Sequence, residues 1–487
     1  MLLDPERAAT SEALKLSADR IDEAVYGVLG RLAAWSCQPS TPNSQPSSPA
    51  VAPAITFSYS CRDTREFRET YASWLMLQAF RLQQGDGAAS YQQMKAALGE
   101  PVSVVPRERE GAATGSAWWL RSVAGSGGKG VEVVEASFPA VARGRMAQAH
   151  RESSHFTEFD GHVPAAGGAL DPCAEGNAFS VTDLEGAAKC PYQFFLKRGL
   201  GLRPLEAAER DKDVWLDPLT RGSQLHDIYA ALLRRCRDAN RCPDVRMDGA
   251  WLEALAKDTL ARLNREMPAA TAEILERESR DLLADVELFL EGECEDSSSE
   301  PLGFEVSFGR PLGGNEEALA RAEPVEINLG GGLIFRIAGR IDRIDRIGPS
   351  EFEVLDYKTG GFWRDDFKGT FNGGRRLQHA LYGLAAVELL RPRYRKAKVT
   401  GAQYYFPSHK GRRERKRIPA PTPAQTAAVL GDLREVIVAG AFVHAHDEKD
   451  CKFCDYTAAC GGGVHAQAEG KQGDATLKAY GRLAAHV

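Results

Sequence analysis

Apolar positions along this chain change their period several times. Over residues 1–36 they recur at helical spacing through Ile21, Val25, Val28 and Leu32. The pattern stops at a proline- and serine-rich run over 39–49, which can bury no core and reads as a linker across 38–54. Ile55-Thr56-Phe57-Ser58-Tyr59 alternates like a short strand, and a helix over 71–82 follows. From residue 156 the texture changes. Helical periodicity covers 181–198, 222–240, 249–264 and 269–293, followed by strand-like segments at 304–308, 325–329, 333–347 and 352–357. A helix over 378–390, a strand over 399–406, a helix over 423–440 and a cysteine-rich tail complete the pattern. Strands framed by helices predict an α/β fold with one central mixed sheet, carried by residues 156–487. Residues 1–155 form a separate, mainly helical N-terminal region.

Composition narrows the class. The 487 residues are 43% hydrophobic and 26% charged, which is ordinary for a globular protein. No apolar run reaches the roughly 18 residues of a membrane span. The N-terminus lacks a basic segment followed by an apolar one, so no export signal is expected and the chain is placed in a reducing cytoplasm. A net charge of −6 excludes a uniformly basic nucleic-acid coat but leaves room for a local basic channel. Ten cysteines in such a compartment point to metal or cluster ligation wherever their spacing fits. Gly125-Ser-Gly-Gly-Lys129-Gly130 has the glycines of a phosphate loop but holds Val123 and Gly130 where that loop needs Gly and Ser or Thr. No ATPase activity is expected of this polypeptide.

The chemistry concentrates in Gly339-Arg-Ile-Asp342-Arg-Ile-Asp345 and Asp356-Tyr-Lys358-Thr-Gly360, on two strands joined by the turn Gly348-Pro349-Ser350. Residues two apart in a strand share a face, so Val354, Asp356 and Lys358 point one way and Glu353, Leu355 and Tyr357 the other. A carboxylate beside an ammonium suits a site that holds a divalent cation and a phosphate. Asp356 and one of Asp342 or Asp345 would supply oxygen ligands, and Lys358 would orient water or steady negative charge. Spacing leaves the choice between Asp342 and Asp345 open, because they lie on opposite faces.

These residues resemble the PD-(D/E)XK nuclease superfamily. The resemblance is nearest to the C-terminal nuclease domain of AddAB/RecBCD-type helicase–nucleases and extends to CRISPR-adaptation nucleases of the same fold. It implies a restriction-endonuclease-like core, a central mixed sheet flanked by helices. It also makes Asp342 the first metal-binding acid, Asp356 the second and Lys358 the catalytic lysine. Arg221-Gly222-Ser-Gln-Leu-His226 resembles the family's helix with a further metal-binding histidine, His226. Gln378 and Tyr382, four apart on one helix face, match the family's Gln-x-x-x-Tyr element beside the active site. The implied activity is Mg²⁺- or Mn²⁺-dependent hydrolysis of DNA ends or single strands, in double-strand-break repair and recombination, with a helicase subunit as partner. The competing expectation is a non-catalytic DNA-binding or scaffolding subunit.

Cys451-Lys-Phe-Cys454 with Cys460, and Cys190 before Pro191 and aromatic residues, make a second constellation. Spacing allows zinc or an iron–sulfur cluster. The resemblance implies a [4Fe-4S] cluster on Cys190, Cys451, Cys454 and Cys460, stapling the ends of the nuclease domain. The other six cysteines show no ligand spacing and read as ordinary thiols. Lys410, Arg412, Arg413, Arg415, Lys416 and Arg417 form a basic run expected to bind DNA backbone without reading sequence. The N-terminal region resembles only faintly the edge of a helicase-like domain, and helicase motifs are missing. That implies a helicase remnant in a truncated or split member.

Overall fold

The longest alternating run in the sequence forms the strand around which the sheet is built, Ile334–Arg346. The computed structural model describes residues 26–27, 58–61, 70–99, 115–125, 131–204, 213–295, 299–313, 317–367, 369–452, 454–461 and 463–487. The linker expected over 38–54, most of the helix expected over 1–36, most of the strand expected over 55–59 and Lys129 lie outside the described residues.

The chain divides into two compact units, Met1–Gly111 and Ala112–Val487. In the first, helices Trp74–Gln84 and Tyr91–Leu98 meet through Leu77 and Met94, and Ser90 and Gln93 form a capping box at the start of the second helix. The second unit begins with helices Gly115–Gly125, Val131–Ser137 and Pro139–Glu152 and then builds the sheet.

Its strands are β1 (Phe179–Ser180), β2 (Glu300–Phe308), β3 (Val325–Asn328), β4 (Ile334–Arg346), β5 (Glu351–Tyr357), β6 (Lys398–Phe406) and β7 (Glu414–Pro419). They form one seven-stranded mixed sheet. Arg343 of β4 is flanked by Phe304 of β2 and Leu355 of β5, and Ile337 by Phe179 of β1 and Val325 of β3. The β5–β6 pair is parallel and β6–β7 antiparallel.

Helices cover both faces. On one lie α1 (Val181–Lys189), α5 (Gln378–Leu390), α6 (Pro423–Val438) and α7 (Lys478–Ala484), packing Leu184, Leu381, Leu433 and Leu483 against Ile337, Ile341 and Val354. On the other lie α2 (Pro218–Asp238), α3 (Val245–Glu266) and α4 (Ala272–Glu295), packing Leu225, Leu252 and Phe289 against Phe304, Tyr357 and Tyr405. The central mixed sheet flanked by helices is the expected α/β core.

Among the elements that differ from expectation, two bear on the candidate sites. The helix read across 181–198 breaks at Cys190, which is extended at φ −149° and ψ 93°. The cause is Pro191, whose ring disfavours helical backbone in the residue before it. The chain resumes as the turn Pro191–Phe194 and a π-helical turn, Phe195–Gly199. The basic run, given no element by the sequence, supplies strand β7.

Candidate active site

The site forms where strand alternation fails. Phe304 and Val306 lie two apart on β2, yet they bury on opposite faces of the sheet. Between them Glu305 has φ +51°, a left-handed conformation that a side chain rarely adopts. On β4, Ile341 and Ile344 bury on one face although three apart. Both strands therefore slip phase at one level, and Glu305 and Asp342 emerge from it. Strain of this kind costs about 1–3 kcal/mol and persists where surrounding structure enforces it, most often at functional sites.

His226 projects from α2 toward this pair. Its Nδ1 lies 3.4 Å from Glu305 Oε1 and 3.6 Å from Asp342 Oδ2. These three side chains offer ligand atoms within 4.8 Å of one another. Asp342 Oδ2 also accepts the Tyr357 backbone N–H at 2.8 Å. Burial works against an imidazolium here, but the adjacent Asp342 and Glu305 carboxylates outweigh it and push His226 up to about 10. Two carboxylates thus converge on one imidazole, a donor set in which a metal cation could take the place of the imidazolium proton.

Asp356 and Lys358 stand at the end of β5, with Lys358 Nζ 2.5 Å from Asp356 Oδ2 and donating to Gln378 Oε1 at 3.0 Å. Burial raises the Asp356 carboxyl; Lys358 opposes the rise and Asp342 adds to it. Gln378 is the first residue of α5, and its N–H and that of Leu377 donate to Glu185 Oε1 at 3.0 and 2.6 Å. Burial lifts Glu185 to about 7 despite those bonds and the charge of Lys358. One turn along α5, Tyr382 packs on Gly339. A methyl there would lie 3.1 Å from the Tyr382 ring and 3.2 Å from Phe308, so the glycine admits the tyrosine.

Asp345 belongs elsewhere. It makes a buried bidentate pair with Arg343 at 2.6 and 2.8 Å and accepts from Ser299 at 2.6 Å, while Arg343 also meets Glu293 at 2.6 Å. Two acids near the site, Glu305 and Glu185, escaped the sequence reading. Glu305 could have been suspected as a lone charge between Phe304 and Val306 in a buried strand. Helical periodicity gave no signal for Glu185.

The four expected cysteines also converge. Burial raises the Cys190 thiol to about 11 and the Cys460 thiol to about 12, and each feels the charge of Cys451 and Cys454. Cys190 Sγ accepts the Gln193 N–H at 3.5 Å. The basic run divides. Arg413 pairs with Glu295, Arg415 with Glu293 at 2.8 Å and Arg417 with Glu353. Lys410 and Arg412 are exposed, and Lys416 lies in register with Tyr404, which pairs with Asp356, so it shares the face of the acid.

The sequence profile of the PD-(D/E)XK nuclease superfamily matches residues 178–461, more than half of the chain. The chain belongs to the PD-(D/E)XK nuclease superfamily. The matched PD-(D/E)XK segment contains every residue of the acid cluster and all four converging cysteines. One similar protein is an ATP-dependent helicase/deoxyribonuclease subunit of Symbiobacterium thermophilum, 29% identical over 47% of this chain and 19% of the relative. The helicase/deoxyribonuclease subunits of the same name in Moorella thermoacetica and Clostridium novyi are each 27% identical, over 47% and 37% of this chain. The alignments span only 15–19% of these relatives' length. No helix among the described residues is long and apolar enough to cross a membrane.

Proposed function

We propose that this PD-(D/E)XK protein hydrolyses DNA phosphodiesters at ends or on single strands, using Mg²⁺ or Mn²⁺. Its setting would be the reducing cytoplasm, in break repair and recombination of the AddAB/RecBCD type, beside a helicase subunit. The observation that carries this reading is the convergence of His226, Glu305 and Asp342 beside the Asp356–Lys358 pair. The donor set fits a hard divalent cation, which takes carboxylate oxygens. Both Glu305 oxygens are buried; His226 and Arg340 approach them, but neither oxygen receives an aligned hydrogen bond. Bound there, the ion would neutralise charge on the phosphate and activate water.

The protein's own groups supply the rest. His226, Glu305, Asp342 and Asp356 would hold the ion. Lys358, steered by Asp356 and Gln378, would present its ammonium to a phosphate oxygen and hold the attacking water by hydrogen bond. Tyr382 buttresses β4 beside the site through Gly339. Lys410, Arg412 and Lys416 would meet the DNA backbone, whereas Arg413, Arg415 and Arg417 are already neutralised by acids.

Cys190, Cys451, Cys454 and Cys460 would hold a structural [4Fe-4S] cluster. The resemblance to AddAB-type nuclease domains favours the cluster over a single zinc, and metal analysis of the purified protein separates the two. The deciding experiment is a cleavage assay. Purified protein with Mn²⁺ should degrade single-stranded DNA, and Asp356→Ala should abolish this. Robust cleavage by Asp356→Ala would sink the assignment.

A further inference from the structure

The segment leaving the lysine strand carries an exposed aromatic that no part of the cutting chemistry needs. Trp363 follows Lys358 by five residues and is 70% exposed. Its neighbours Phe362 and Phe367 do the opposite: they stack on each other and bury with Tyr404, Phe406 and Ile418. The loop is therefore anchored by two phenylalanines and presents the indole outward. A methyl on Gly361 would lie 3.4 Å from Trp363 Nε1 and 3.6 Å from the Lys410 carbonyl oxygen. The indole thus stands beside the start of the basic run, where Lys410 and Arg412 are exposed.

The facing wall is also apolar. On α2, Leu219, Gly222 and His226 recur at helical spacing and share one face. His226 is in the acid cluster, and a methyl on Gly222 would lie 3.2 Å from Thr359 Oγ1. Leu219, one turn further out, is 83% exposed. Leu219 thus lies on the α2 face that carries His226 and approaches Thr359, and Trp363 lies four residues beyond Thr359 next to the Lys410 backbone; both are exposed.

We propose that Trp363, with Leu219 as the opposite edge, takes an unstacked nucleobase of single-stranded DNA beside the cutting site. This rests on the reading of that site as DNA-cutting. An indole face accepts any base, so the device selects strand form, not sequence. Paired duplex, with its bases stacked inside, gains nothing from it. The exposed Lys410 and Arg412 of the basic run that starts next to Trp363 favour a nucleic-acid strand over an apolar protein partner.

The test is equilibrium binding of a fluorescent dT oligonucleotide by the full chain in chelator, where no cleavage occurs. Trp363→Ala should weaken binding about 5- to 100-fold, and Trp363→Phe should stay within about threefold of the native protein. An abasic oligonucleotide of equal length should bind the native protein as weakly as dT binds Trp363→Ala, and should not sense the substitution. Blunt duplex affinity should be unchanged. Unchanged dT affinity in Trp363→Ala overturns the proposal, and so does an equal loss on the abasic strand. Failure of the DNA-cutting reading shows separately, as no cleavage by native protein in Mn²⁺ with the Trp363 binding effect intact.

Discussion

Glu305 and Asp345 are both acids in buried strands, and their surroundings give them opposite roles. Asp345 neutralises Arg343, a guanidinium fully enclosed with Glu293. Removing one partner of such a pair leaves an uncompensated charge and costs about 3–5 kcal/mol. Asp345→Ala should therefore lower stability by that order in denaturant melts, while the Mn²⁺ concentration needed for residual cleavage stays where it was. Glu305→Gln should do the reverse. It removes a like charge beside Asp342 but also the attraction to His226 and Arg340, so the melting temperature should change little, while the Mn²⁺ requirement should rise about 10- to 100-fold. A melt-defective Glu305→Gln with native metal titration would remove Glu305 from the ligand set. His379 makes a further residue-scale prediction. Burial first, and Arg376 second, press its pKa down to about 4, and neither ring nitrogen has a hydrogen-bond partner. A depressed folded-state pKa gives stability that is present above the unfolded value near ~6.5 and lost as pH falls toward the folded one. Between pH 6.5 and 4 the protein should lose roughly 3 kcal/mol through this group, and His379→Leu should flatten that part of the stability–pH curve.

At the scale of elements, α1 links two sites. Glu185 in its middle caps α5 through the Leu377 and Gln378 N–H groups, and Cys190 ends it. Gln378 in turn holds Lys358. Glu185 is thus a positioning residue for the lysine. Glu185→Ala should lower kcat about 10- to 100-fold with little change in KM, as expected of a misplaced catalytic group. Glu185→Gln keeps an acceptor for both N–H groups and should recover most of the loss; equal defects in both variants would leave a merely structural role. These dependencies explain what the sequence could show. Strand β4 and helix α6 were legible because one-sided burial writes a clear period, 2.0 or 3.6, into the apolar positions, whereas β5, β6 and α5 are buried on both sides and read as apolar runs. Strand β7 was not legible, because Arg415 and Arg417 are neutralised by Glu293 and Glu353 from other elements, and that compensation is non-local. Asp342, Asp356 and Lys358 stood out as charges in strands. The phase slips at Glu305 on β2 and between Ile341 and Ile344 on β4 are encoded in no such pattern; at that level Asp342 faces His226 and Asp345 stays with Arg343.

Across the second unit, the chain returns at its end to where the nuclease segment begins. Tyr192 stacks on His444 at 4.1 Å and donates its N–H to Val443 at 3.1 Å, Tyr456 donates to the Leu202 carbonyl at 2.9 Å, and Lys189 faces Asp450 at 3.9 Å. These contacts are individually weak, and in the last pair the Lys189 side chain is exposed while Asp450 is mostly buried. A cluster on Cys190, Cys451, Cys454 and Cys460 would close a loop of some 264 residues between Cys190 and Cys454. A covalent link over that length restricts the unfolded chain by up to about 5 kcal/mol. The acid site, by contrast, is assembled from β2, β4, β5 and α2, all inside the loop. Stapling should therefore govern endurance more than chemistry. Anaerobically purified native protein should be brown with about four irons per chain. Cys190→Ser should lose that iron and melt roughly 5–15 °C lower, yet still cleave single-stranded DNA in Mn²⁺ at low temperature. Cys173→Ser, outside the quartet, should keep both iron and melting point. Iron retained at native stoichiometry in Cys190→Ser would exclude Cys190 as a ligand, and a colourless native protein with one zinc would exclude the cluster itself.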